Sequence, residues 1–506
     1  MDMLSLAIAL LLPWSLGIIW LRPLWRSGTE GAWPAILGYG YFAGTLANAV
    51  IMLTLDALGL PQHFPALAGI LLALAGLGFW LTRKIPWFRS PRGPTAILAG
   101  GVRITWRQIV AGLLLLVCIL RFGGFALEIL WRPLYPWDAW MNWAPKALVW
   151  FEHKSLVPHL APDAWLASGS ALVYTGSNEE NWSFAPLVPL IQFWVALALD
   201  RWDENLINLP WLQAAIALTL ACYGQARAIG ARPLFALIVC YLLVSLPLFG
   251  THVALAGYAD LWMACLYALA VMAFLRWAQD RDPRQAAILL IFLAALPFVK
   301  KPGMAWVITF LPALLAVHFS LKILGLIVLL GGSLFGAFYF TTGIALSLPF
   351  GGGDIWLSPQ QIHLPGYVGE GFRFYPVWDP FIRHLFLRPN WHLFWPGAFG
   401  LLLLAAPLAW RDRRIAIPLT LAFSGLLFLF LVFFFTGRYS SEAMNATTIN
   451  RALLHLVPAL TFMCAVILLR ISEREASDWK PLIAPNSAEP AATPPFNAQD
   501  QAGIPG

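Results

Sequence analysis

Charge is scarce in this sequence. Only 11% of its 506 residues are Asp, Glu, Lys or Arg, while 60% are hydrophobic. So few ionic groups leave a soluble chain of this length unable to cover its surface, so the bilayer must be the solvent for most of it. Cysteine is scarce as well. Cys118, Cys222, Cys240, Cys265 and Cys464 are odd in number and lie in apolar stretches without metal-ligand spacing, which argues against a disulfide framework. No Walker loop, dinucleotide fingerprint, HExxH or GxSxG context occurs, so nucleotide-driven pumping and the common hydrolases find no support. No repeat of fixed period is visible, which weighs against transporters built from inverted halves. The net charge of +7 would suggest nucleic acid for a soluble protein. In a membrane chain the placement of charge is the informative quantity, and no nucleic-acid partner is expected.

What is abundant is apolar sequence in long runs. They fall at 3–21, 34–56, 65–82, 107–130, 205–228, 233–250, 257–278, 285–299, 303–319, 321–346, 394–410, 415–436 and 453–470. Since a crossing takes roughly 20 apolar residues, the expectation is an all-α integral membrane fold of about thirteen transmembrane helices. The first run has no basic region before it and reads as a retained helix rather than a cleaved signal. A further run, 184–199, is shorter and contains Pro186 and Pro189. Arg83, Lys84, Arg89, Arg92, Arg103 and Arg107 place the loop after the third run in the cytoplasm. If 184–199 lies on the outer membrane surface without crossing, the clusters at Arg227/Arg232, Arg276/Arg281/Arg284, Arg411/Arg413/Arg414 and Arg470/Arg474/Lys480 are cytoplasmic too. The N-terminus is then outside and the C-terminus inside.

That topology yields two long extracytoplasmic loops, 131–204 and 347–393. It divides the chain into N-terminal helices with a basic loop (1–106), a membrane core (107–346), the second outer loop (347–393), C-terminal helices (394–470) and a disordered cytoplasmic tail (471–506). Loops of such length are usually functional or disordered, and their aromatic content argues against disorder.

The stretch 134–151, LYPWDAWMNWAPKALVWF, crowds Trp137, Trp140, Trp143 and Trp150 around Asp138 and Lys146. Tryptophan that dense marks a membrane–water boundary, where a carboxylate reaches both lipid-borne and soluble substrates. Asp138 is either a base or a helix cap; Asp260, in GYADLWMACLY, has the same two readings. Lys300 and Lys301, in FVKKPGMAW, sit on the side where positive charge is disfavoured, as tolerated interfacial lysines or as a phosphate clamp. Arg451 and His455, in NRALLHLVPAL, are one helical turn apart on one face and offer a second phosphate-facing pair. Arg121 and Glu128 share a face of the fourth run and suggest an intramembrane ion pair. Asp379 and Arg383 have the spacing of a surface helix pair. Glu179 and Glu180 are adjacent, so their side chains diverge.

An acid in the first large outer loop, a proline-punctuated surface helix (APLVPLIQFWVALAL), a second acid starting an outer-facing helix, a basic outer turn and a final R-x-x-x-H-x-x-P helix form an ordered pattern over 107–470. The pattern resembles the GT-C superfamily of polytopic glycosyltransferases, near the protein mannosyltransferase and lipid A aminoarabinose transferase branch. The resemblance implies transfer of a sugar from a polyprenyl-phosphate donor to a glycan, lipid or protein acceptor on the outer side, with inversion, in a bacterial inner membrane. Carried over, the catalytic acids fall on Asp138 and Asp260, and the phosphate-binding groups on Lys300 or Lys301 and on Arg451. Lys146, His455, Trp140 and Trp143 join them as expected substrate contacts. A divalent metal joining Asp138 and Asp260 stays open. The chain departs from familiar members in carrying three extra spans before the one leading into the catalytic loop. It also has Ala139 where a second acid is common. A lipid-linked polysaccharide polymerase or ligase, and a transporter or flippase, are the competing readings.

Overall fold

The computed structural model describes residues 2–26, 28–85, 105–176, 181–347, 354–364 and 367–483. Helices α1 (Asp2–Leu21), α2 (Ala32–Ala57), α3 (Phe64–Thr82) and α4 (Trp106–Trp131) open the chain. A π turn at Ala139–Trp143 leads into α5 (Ala144–His153), α6 (Pro162–Ser168) and α7 (Leu187–Leu199). The middle consists of α8 (Leu209–Ala228), α9 (Pro233–Ser245), α10 (Pro247–Ala254), α11 (Ala259–Asp280), α12 (Pro283–Val299), α13 (Gly303–Ile308), α14 (Phe310–His318) and α15 (Leu321–Thr341). After strands β1 (Ile344–Ser347), β2 (Asp354–Leu357), β3 (Gln361–Leu364) and β4 (Tyr367–Glu370) come α16 (Trp378–Ile382), α17 (Phe394–Ala409), α18 (Arg413–Phe435), α19 (Gly437–Met444) and α20 (Ile449–Ile483).

Every one of the thirteen apolar runs contains helix, but they do not all have the length of a crossing. Among the described residues nine helices are long and apolar enough, or ten if α9 and α10 count as one span bent by 66°. The bend follows from Pro247, which lacks an N–H and drives Leu246 into extended backbone. The other three runs form α12, α13 with α14, and α17, all of 17 residues or fewer. Helices α4 and α15 leave most of their apolar side chains uncovered, Leu113, Leu120, Leu329 and Phe340 among them. Such helices need a hydrocarbon solvent, and the chain is a helical membrane protein.

The core centres on α11, buried without a break from Ala259 to Leu275 and packed between α8, α12 and α20. Helices α1 and α2 meet at Gly17, Gly40 and Gly44. A Cβ on Gly44 would run into the backbone of Pro13, so only glycine allows this approach.

Three expectations are corrected. Helix α7 is buried from Leu187 to Leu199, held between α1 and α5, so it does not present an open face to a membrane surface. The second long loop is not all coil or helix: β1–β4 form an antiparallel four-stranded sheet in sequential order, and β1 takes residues expected to end a span. The tail expected to be disordered from 471 instead begins as a continuation of α20, which runs to Ile483. The rest of that tail, Arg89, Arg92 and Arg103 of the basic loop, and Glu179 and Glu180 lie outside the described residues.

Candidate functional site

Four segments far apart in sequence deliver their polar side chains to one place. Asp138 enters the π turn, and Asp260 stands in the first turn of α11. Lys300 follows the last residue of α12. Lys300 is extended, with φ of −164°. Arg451 and His455 project from the first turns of α20, one turn apart.

Asp260 is the hub. It has no solvent exposure. Its Oδ1 accepts from Lys300 Nζ at 2.7 Å and from His455 Nε2 at 2.8 Å, and its Oδ2 accepts from Arg451 Nε at 2.7 Å. A buried carboxylate is tolerable only when paired in this way. The other end of the Arg451 guanidinium donates from Nη2 to Asp138 Oδ2, so one planar cation bridges the two acids. The guanidinium also lies 4.9 Å from the centroid of the Tyr258 ring, which adds a cation–π contact. Asp138 Oδ1 accepts from Asn142, one turn further on. Neither acid caps its helix, since no side-chain cap bond forms at either start.

His455 has a defined tautomer. Trp306 Nε1 can only donate, and it donates to His455 Nδ1 at 3.3 Å. Nδ1 is therefore the bare nitrogen, and Nε2 carries the hydrogen that Asp260 receives. The ring is neutral in this arrangement. Asp260 thus faces two cations and one neutral donor.

The other expected residues lie around this cluster, with different roles. Lys146 is buried and donates to the carbonyls of Trp182 (2.8 Å) and Phe184 (3.0 Å), tying the segment before α7 to α5. Burial, assisted by the nearby charge of Lys301, brings its ammonium down to about 8. Burial likewise lowers Lys300, with Arg451 adding to the effect and Asp260 opposing it. Lys301 is exposed and, among the described residues, has no hydrogen bond or ion pair. Trp140 is 44% exposed and edge-on to Trp137. Trp143 is a correction: its ring is closed off, 1% exposed against Phe184, and offers no face to a sugar. Trp150 is buried as well, donating to Val157. The Arg121–Glu128 pair does not form. Glu128 instead bonds Arg132 one turn on at 2.6 Å, while Arg121 lies over Phe125. Asp379 and Arg383 do pair, at 2.8 Å.

Sequence reasoning passed over Asn142, Tyr258, Trp306 and His252. Asn142 was readable from its four-residue spacing to Asp138, and Tyr258 from its place beside Asp260. Trp306 and His252 carried no signal among so many aromatics and apolar neighbours. His252 is buried against the Tyr258 ring, and its Nδ1 has no partner among the described residues.

The donor set does not fit a divalent metal. The place between Asp260 and Asp138 is taken by the Arg451 guanidinium, which bonds both acids, and the described residues hold no group of three or more metal-ligating side chains. What the arrangement can do is hold an anion. Arg451, Lys300 and Lys301 exceed the two carboxylates by one positive charge at the cluster, and Lys146 adds to the excess beside it.

Compared with known proteins, the chain matches no family model, no curated protein and no solved structure.

Proposed function

We propose that this chain is a membrane glycosyltransferase. It moves a sugar from a polyprenyl-phosphate carrier to a glycan, lipid or protein acceptor at the extracytoplasmic face of a bacterial inner membrane. The observation that carries the reading is the cluster itself: two acids linked through Arg451, in a setting where cations outnumber carboxylates. That surplus suits a phosphate at headgroup depth, with Lys301 as the cation that has no hydrogen bond or ion pair among the described residues.

In the reaction the acceptor oxygen attacks the anomeric carbon while its proton passes to Asp138. The bond from that carbon to the phosphate oxygen breaks, and the lipid phosphate leaves with the electron pair. Attack opposite the leaving group inverts the centre. Asp138 is the base because a carboxylate has lone pairs beyond those Asn142 and Arg451 use. Asp260 is a positioning residue: enclosed by its own partners, it sets where Arg451, Lys300 and His455 stand. Phosphate binding and orientation supply the remainder, and since the lipid phosphate is already a good leaving group, ATP is not required.

Membranes containing the chain, incubated with a panel of radiolabelled lipid-linked sugars, identify the donor. With that donor, Lys300→Ala combined with Lys301→Ala raises the donor KM. An unchanged KM rejects the phosphate clamp.

A further inference from the structure

Because the expected pair with Glu128 does not form, Arg121 stands alone inside a span. It lies ten residues before Trp131, the last of α4, and fifteen after Trp106, the first. Helix α4 packs mainly against α8, α9 and α10, and Arg121 is exposed on its flank. The guanidinium lies 4.9 Å from the centroid of the Phe125 ring. It also rests against Gly250 of α10, where a Cβ would come within 2.9 Å of Nη2. Among the described residues Arg121 has no hydrogen bond or ion pair.

An arginine inside hydrocarbon is costly unless an anion answers it. Three sources could supply that anion, and two are badly placed. The guanidinium is beside Phe125, six residues and so about 9 Å short of the helix end at Trp131. Tryptophan at a span's end marks headgroup level, so a lipid phosphate meets Arg121 only if the bilayer thins. A second copy of this chain has nothing to offer at that depth. Carboxylates in its described spans stand only in a first or last turn: Asp56, Glu128, Asp260, Asp280, Glu473 and Glu475. The third source is a carboxylate on a span of another protein, and the surface suits one. Gly124 lies one turn on from Arg121, and a Cβ there would meet nothing, so a second helix can come close beside the charge. Helix α15 makes the contrast. It is as bare as α4, but its one charged residue, Lys322, stands in the first turn, and lipid alone covers it.

We infer that the open flank of α4 at Arg121 docks a transmembrane helix of a different protein, which sets an Asp or Glu side chain against the guanidinium. The inference stands apart from the transferase reading and survives its failure.

The test places the full chain in phosphatidylcholine liposomes with a dye-labelled synthetic single-span peptide of Leu and Ala. The peptide carries one Glu six residues inside its terminal Trp, and energy transfer from the labelled chain reports association. The Glu peptide is expected to bind about tenfold more tightly than its Leu counterpart. Arg121→Leu, a change the fold tolerates at an exposed position, removes that preference, and Arg121→Glu transfers it to a peptide carrying Lys. If the wild type takes the Glu and Leu peptides equally, or if Arg121→Leu keeps the preference, the inference fails. A preference that vanishes when phosphatidylglycerol replaces part of the phosphatidylcholine assigns Arg121 to lipid phosphate and overturns it as well.

Discussion

A carboxylate sealed from water keeps its charge only if its neighbours answer it, and Asp260 is answered by Lys300, Arg451 and His455 at 2.7 to 2.8 Å. Replacing it with Asn leaves the two cations facing each other across a neutral group. Breaking a buried pair by removing one partner costs about 3–5 kcal/mol. Asp260→Asn is therefore expected to lower the unfolding midpoint in detergent by several degrees and to abolish transfer, whereas Asp138→Asn, which leaves Arg451 its bonds to Asp260, unfolds nearer the wild-type temperature. Equal midpoints for the two variants would contradict the assignment of Asp260 as hub. At this scale the sequence marked the right residue types but not their division of labour. Asp138, Asp260, Lys300, Arg451 and His455 stood out as polar groups in apolar surroundings. That one Arg would bridge both acids, and that Trp306 would fix the His455 tautomer, depends on contacts between residues 149 or more positions apart.

Elements divide between those that periodicity dictates and those that packing dictates. The long apolar helices are visible in sequence because a crossing imposes its length on the chain. Helix α7 was not readable in the same way: thirteen mostly apolar residues describe equally a surface helix or a buried one, and only α1 and α5 closing over it decide. The sheet β1–β4 rests on four-residue strands, too short for alternation to show. Helix contacts made through glycine are also set by packing. Gly44→Val would push α1 from α2 at Pro13, against backbone that has no rotamer to yield. It is expected to lower the thermal midpoint markedly, while the same change at Gly69, where a Cβ meets nothing, leaves it close to wild type. A Gly44→Val protein as stable as the wild type would mean that α1 and α2 pack more loosely than described.

For the whole molecule, the proposed function requires that residues from both halves of the chain, which meet in one cluster, stand at one face of the membrane. The five native cysteines are free, four of them buried, so labelling of introduced cysteines has a low background. Trp140→Cys and Lys301→Cys are both expected to react with an impermeant maleimide added outside intact cells. Labelling of the two from opposite sides would separate Asp138 from the phosphate cations and end the account. Side chains cannot report which leaflet they face, which is why orientation came from the distribution of arginine and lysine rather than from the fold. The most direct measurement is the initial rate of sugar transfer by purified Asp138→Asn protein with its lipid-linked donor. The account predicts a fall of roughly 10²–10⁴-fold, the usual worth of a general base, with the donor KM little changed. Transfer at the wild-type rate would contradict it.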